Sequence, residues 1–205
     1  MNKKVKISLL VGAILLISFT SFKATQAYLT YRRNVLNTFK VGYNTIEVEE
    51  DYTPPDKIEV GETAFKKTIK VKNTGTVPCY VRVRMEYSDS DMKKYCENMY
   101  NGEYIDANEF PNAIESKSGG KWIYSTEDTC YYYTKKVKPN ESTDNLLEYV
   151  RINIPDTDGD KIKDFDIYVY AESIQTMINK ESNGELVAVE ADDYMQAWNQ
   201  MLGRE

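Results

Sequence analysis

The chain has 205 residues and no histidine. That absence excludes Ser-His-Asp and Cys-His nucleophilic catalysis, and with them the HExxH zinc site. Cysteine is scarce and odd in number: Cys79, Cys96 and Cys130. Three cannot complete a disulfide framework, so one bridge with a free thiol, or three buried thiols, are the arrangements expected; the spacing fits no zinc pattern. Without an imidazole to lower a thiol pKa, a nucleophilic cysteine is not expected. Basic residues are outnumbered, 26 against 32 acidic. Such a chain lacks the positive surface that nucleic acid or anionic lipid requires of a main partner. Long hydrophobic runs are missing except for Ile7 to Phe22, whose 16 residues fall short of the roughly 20 that span a bilayer comfortably.

That run follows Lys3, Lys4 and Lys6 and precedes Lys23 and Ala24-Thr25-Gln26-Ala27. A basic region, an apolar region and a small-x-small site make a secretory signal. Cleavage is expected between Ala27 and Tyr28, with Thr25 and Ala27 as the small residues; the alternative is an uncleaved anchor, which would be the chain's membrane contact. Removing residues 1–27 leaves 178 residues with 22 basic and 32 acidic side chains, enough for one domain, 28–205, with a sizeable core. Tyrosine is abundant, with all 17 copies after residue 27. It favours half-buried strands and wet interfaces. Many tyrosines with no histidine suit a binding or building module rather than an enzyme, and no pair of carboxylates stands out for glycosidase chemistry.

The dominant pattern is β. From Phe65 to Tyr87, Ile69 and Val71 alternate with Thr68, Lys70 and Lys72; Val81, Val83, Met85 and Tyr87 alternate with Arg82, Arg84 and Glu86. Period two puts one row on a core and the other on a solvated or ion-paired face. Asn73, Gly75 and Pro78 turn the chain between them. The connection exceeds a two-residue loop, so two packed sheets fit as well as a hairpin. Alternation at Phe39 to Val41 and at Ile46 to Val48 predicts a strand pair or one bulged strand, stopped by Asp51–Asp56 with its two prolines. Trp122–Tyr124 pairs with Cys130–Val137, and the consecutive Tyr131, Tyr132 and Tyr133 are expected to put one side on the core and the other in solvent. Further strands carry Leu146, Val150, Ile152 and Ile154 on one face, and Phe165, Ile167, Val169 and Ala171 on another.

Two helices are expected. Met92, Tyr95, Cys96 and Met99 have helical spacing over Met92–Tyr100, after the capping residues Ser88–Asp91. At 190–203, Asp192 or Asp193 can cap, Tyr194, Ala197, Trp198, Met201 and Leu202 form a stripe with Trp198 toward the sheet, and Gly203 stops the helix. Residues 101–133 read as an insertion, with Asn101–Gly120 a polar surface segment. Asp156, Asp158 and Asp160, followed by Asp164, resemble a calcium loop. Yet the glycine stands fourth rather than sixth, and Ile167 occupies the position of the bidentate glutamate. An acidic turn is therefore expected, with no cofactor, and calcium is the one metal to test.

Several segments together resemble the TasA/camelysin family of exported Gram-positive proteins. They are Ala27-Tyr28-Leu29-Thr30, Asn37 to Gly42, Lys72-Asn73-Thr74-Gly75-Thr76, Tyr80-Val81-Arg82-Val83, Lys138-Pro139-Asn140-Glu141-Ser142-Thr143, Phe165-Asp166-Ile167, Ala171 to Gln175 and Ala197-Trp198. The family often has glycine where Asn140 stands, and the region from Asn101 to Tyr133 has no counterpart. The resemblance implies a jelly-roll-like β-sandwich with a few peripheral helices, after a signal peptide helix removed by a SipW-type signal peptidase. It implies a secreted or surface location and self-association into biofilm matrix fibres. In such fibres the N-terminal segment of one subunit, here Tyr28, Leu29, Val35, Phe39 and Val41, adds as a strand to the next. A protease activity described for camelysin has no residues to carry it here. The rival expectation is a monomeric surface adhesin that uses the tyrosine-rich stretch from Tyr100 to Tyr133.

Overall fold

The computed structural model describes residues 43–182 and 185–204. The signal segment, the cleavage residues Thr25, Ala27 and Tyr28, and the donor-strand residues Tyr28, Leu29, Val35, Phe39 and Val41 lie outside the described residues.

The described chain is mainly β. One antiparallel sheet has the order β1 (Ile46–Tyr52), β2 (Gly61–Asn73), β8 (Leu147–Ile154), β4 (Cys96–Tyr100), β5 (Glu103–Asp106). A second has the order β6 (Trp122–Ser125), β7 (Cys130–Val137), β3 (Cys79–Tyr87), β9 (Ile167–Gln175). The antiparallel pair β2–β8 of the first sheet continues as the pair β3–β7 of the second. Folding one long strand pair across two sheets is the jelly-roll principle, and both connections, β2 to β3 and β7 to β8, pass between the sheets. Inward residues of both meet in one core, with Ile69, Val71, Val81, Val83, Val150 and Ile152 fully buried. Each such side chain stabilises by about 1.5–3 kcal/mol.

The alternation in Phe65–Tyr87 is borne out, and it resolves as two sheets rather than a hairpin. Asn73 makes the crossing rigid. Its amide donates to the carbonyls of Val77 at 2.8 Å and Val137 at 2.9 Å, and its Oδ1 accepts from the Gly75 amide at 2.8 Å. A buried side-chain amide is tolerated here because its polar atoms find partners.

Three expectations fail, each for a reason of packing. The helix over Met92–Tyr100 is only α1 (Ser90–Lys93), capped by Asp89; Cys96–Tyr100 is instead strand β4. Cys96, Asn98 and Tyr100 point inward with period two, and Asn98 is buried because Tyr87 Oη donates to its Oδ1 at 2.5 Å. The polar segment Asn101–Gly120 is not a surface insertion. It builds β5 and α2 (Phe110–Lys117), whose Phe110 and Ile114 are fully buried beside Trp122. Finally, Tyr131, Tyr132 and Tyr133 are all buried, because both faces of β7 are covered.

The second cover comes from the C-terminal region. Strands β10 (Met177–Ser182) and β11 (Glu185–Glu190) form a hairpin absent from the sequence-based expectation, and α3 (Tyr194–Leu202) follows it. Asp193 caps α3 by accepting from the Gln196 amide at 2.8 Å, and Gly203 ends it with φ 66. Trp198 lies edge-on to Tyr132 at 5.6 Å, in a second apolar cluster with Tyr80, Ile178 and Ala197. The outer face of β3 is therefore not solvated at Arg82, which is 9% exposed. Arg82 bonds Asp128 at 2.9 Å and Glu172 at 2.6 Å, and its guanidinium lies 4.6 Å from the Trp198 ring centroid. Burial alone would lower its pKa; the bonds to Tyr132 and Glu172 outweigh that and raise it.

Candidate functional site

On one side of the sandwich the outermost strands are β1 and β9. Among the described residues each is paired on one edge only, β1 with β2 and β9 with β3. The residues of β1 opposite Val71, Ile69 and Lys67 are Val48, Glu50 and Tyr52, which therefore share the inner face. Along that row cover is lost: Ile46 and Val48 are half-buried, whereas Glu50 and Tyr52 are exposed.

The two strands meet at one end, where Ser173 Oγ bonds Asn44 Oδ1 at 3.0 Å. At the other end lies a cavity of about 250 Å³, floored by Tyr52, Phe65 and Phe165 and edged by Pro54 and Pro55. Tyr52 and Phe65 meet edge-to-face at 5.9 Å. Lys67 also lines the cavity, on the inner face between Phe65 and Ile69, and is only 6% exposed. It pairs with Glu50 and lies 4.7 Å from the centroid of Tyr52. Burial, and after it the carboxylates of Asp166 and Glu50, raise the Tyr52 pKa.

The chain reaches this seam at Tyr43. The Thr74 amide donates to Thr45 O at 2.9 Å, the Thr76 amide to Tyr43 O at 3.0 Å, and the Tyr43 amide to Thr76 Oγ1 at 3.1 Å. These bonds continue the register of β1 against β2 back to Tyr43. Gly75 is required by close approach. A Cβ there would stand 2.5 Å from Tyr43 O and 2.8 Å from Thr45 N.

Two motifs far apart in sequence meet behind this junction. The Asn140 amide donates to Asn73 O at 2.8 Å and the Asn73 amide to Glu141 O at 2.9 Å. The Val71 amide donates to Thr143 Oγ1 at 3.0 Å. Asn140 has φ 66, a conformation that glycine adopts freely and asparagine tolerates. Thus Lys72–Thr76, Lys138–Thr143 and Ala171–Gln175 collect around the point where residue 43 enters the sandwich. No family model matches the chain, and no curated protein matches it.

The other sequence-based candidates are dispersed. Asp156–Lys161 is a 3-10 turn in which Asp158 accepts from Tyr95 Oη at 2.6 Å and from Lys161 Nζ at 2.7 Å. Asp156 and Asp160 face solvent, and Asp164 lines the seam cavity instead. Among the described residues no three His, Cys, Asp or Glu side chains gather as metal ligands. Cys79, Cys96 and Cys130 are all free and buried, the arrangement of three buried thiols. Burial raises the Cys79 pKa to about 11 and, with Asp106 adding to it, that of Cys96 to about 12. The seam itself was not anticipated. Its one sequence signal is Lys67, a charge in the inward register between Phe65 and Ile69.

Proposed function

We propose that this chain is a secreted structural subunit of the TasA/camelysin type, released by a SipW-type signal peptidase, that assembles into extracellular fibres. Residues of about 28–41 of one copy pair as an added strand with an open edge of the next. The observation that carries this reading is the seam: two one-sided edges flank the junction from which the N-terminal segment departs. An unpaired edge is a template for another strand, and backbone hydrogen bonds supply affinity without special side chains. An added strand would also cover Tyr52 and Glu50, which the described residues leave exposed on an inner face.

The adhesin alternative needs an exposed tyrosine surface between Tyr100 and Tyr133. Tyr100 and Tyr131 to Tyr133 are buried, so that surface is much reduced. Electron microscopy of the chain beginning at Tyr28 tests the proposal. Fibres are expected, and deletion of Tyr28–Leu36 is expected to leave a folded monomer. Fibres that survive the deletion would sink strand donation.

A further inference from the structure

The mouth of the seam cavity is unevenly charged. Asp56, Asp164 and Asp166 line it, and none has a lysine or arginine partner among the described residues. Its two cations are already neutralised, Lys57 by Glu59 and Lys67 by Glu50. The cavity therefore presents three uncompensated carboxylates over an aromatic floor. That chemistry selects a cation with a flat, polarisable face, which describes a guanidinium better than an ammonium.

The charge of the chain is just as uneven. Residues 1–46 hold seven basic side chains and no acid; the remainder holds 19 basic and 32 acidic. Between Ala27 and Gly42 the cations are Arg32, Arg33 and Lys40, set among Tyr28, Leu29, Tyr31, Val35 and Phe39. Fourteen residues, 28–41, extend to roughly 45 Å, longer than the nine-residue β9 at about 30 Å. A strand along β9 can thus also carry its arginines to the cavity beside Ile167.

We infer that Arg32 and Arg33 of one copy dock in the Asp56–Asp164–Asp166 mouth of another copy's seam. The inference rests on strand donation and adds the contact that selects and orients the donor. Adjacent residues of an added strand point to opposite faces, so one guanidinium enters over Tyr52 and Phe165 while the other stays at the rim. The occupant is a second copy because the described chain begins at Tyr43, at the end of the seam opposite the cavity.

The test uses the chain beginning at Tyr28, with assembly followed by light scattering and electron microscopy, and folding checked by thermal melting. R32Q/R33Q is expected to assemble about tenfold more slowly, and D56N/D164N/D166N to do the same from the acceptor side. Wild-type assembly is expected to slow as salt rises from about 0.05 to 0.5 M. The decisive arm mixes R32E/R33E with D56K/D164K/D166K. Neither alone assembles, and the mixture does, because every donor then finds an opposite charge. If R32Q/R33Q assembles at the wild-type rate while deletion of Tyr28–Leu36 abolishes fibres, this contact is wrong and strand donation stands. If the deletion still assembles, both fall. A mixture that stays monomeric, or a wild type held monomeric by its own segment, overturns the contact between copies.

Discussion

Two cations sit within the sandwich's layers, and the chain treats them differently. Arg82 lies on the outer face of the second sheet, held by Asp128, Glu172 and Tyr132 and covered by Trp198. Lys67 lies on the inner face of the first sheet, held by Glu50 alone beside an exposed Tyr52. Burying a charge is costly unless partners compensate it. At Arg82 the ring face of Trp198 on α3 completes that compensation. At Lys67 no element of the described chain finishes the job. Among the described residues the C-terminal region closes one flank, and the other stays open beside Tyr43.

This contrast can be broken or sharpened by substitution. Arg82→Met should cost the most, about 3–5 kcal/mol, because it strips the buried Asp128 of its nearer guanidinium and leaves it that of Arg204 at 3.4 Å; urea unfolding measures it. The same pair gives a pH signature. Asp128 would be raised by burial, but Tyr132, Ser125 and the arginines hold its pKa below the usual aspartate value. Its contribution is therefore present above about pH 4 and lost as pH falls through the depressed folded pKa. Unfolding curves at descending pH should show a shallower acid loss in Arg82→Met than in the wild type.

Gly75→Ala should cost about 1–3 kcal/mol, the range for forcing an atom into a filled space. It should also slow assembly by displacing Tyr43 and Thr45; unchanged melting and assembly would mean the junction is not tight. Lys67→Met should change stability by less than about 1 kcal/mol, since methionine fills most of the space and only the exposed Glu50 and the half-exposed Tyr52 ring lose a partner. A loss at Lys67 equal to that at Arg82 would erase the distinction between the two flanks. The smallest effect is chemical. Cys79, Cys96 and Cys130 should resist a thiol reagent at pH 8 in the native protein and react fully in urea, as expected for buried thiols with raised pKa values.

Much of the framework was legible from alternation. Phe65–Tyr87, Ile46–Val48, Trp122–Tyr124 with Cys130–Val137, and Phe165–Glu172 show period two because one side of each meets the core. The C-terminal helix was legible because Asp193, Trp198 and Gly203 carry local signals for start, face and stop. What escaped depends on partners distant in sequence. Met92, Tyr95, Cys96 and Met99 fit a helical stripe, while the strand that formed buries Asn98, whose acceptor only Tyr87 satisfies. Tyr131 to Tyr133 are buried on both faces because residues 177–202 return to cover them. The seam was least legible, since an exposed edge is defined by the strand that is missing beside it.

The long strand pair shared between the sheets has a consequence in time. Thr63 pairs with Ile152 and Val81 with Tyr133, so its ladders join segments roughly 50 to 90 residues apart. Such wiring makes folding slow, because loop closure must precede the contacts that reward it. It also fixes an order of appearance. During synthesis the segment before Tyr43 emerges first, while β9, which forms half of the seam, is the last strand of the sandwich to arrive. If strand donation holds, a chain would have its arm long before it could receive one, and a half-made copy would be a donor without a socket.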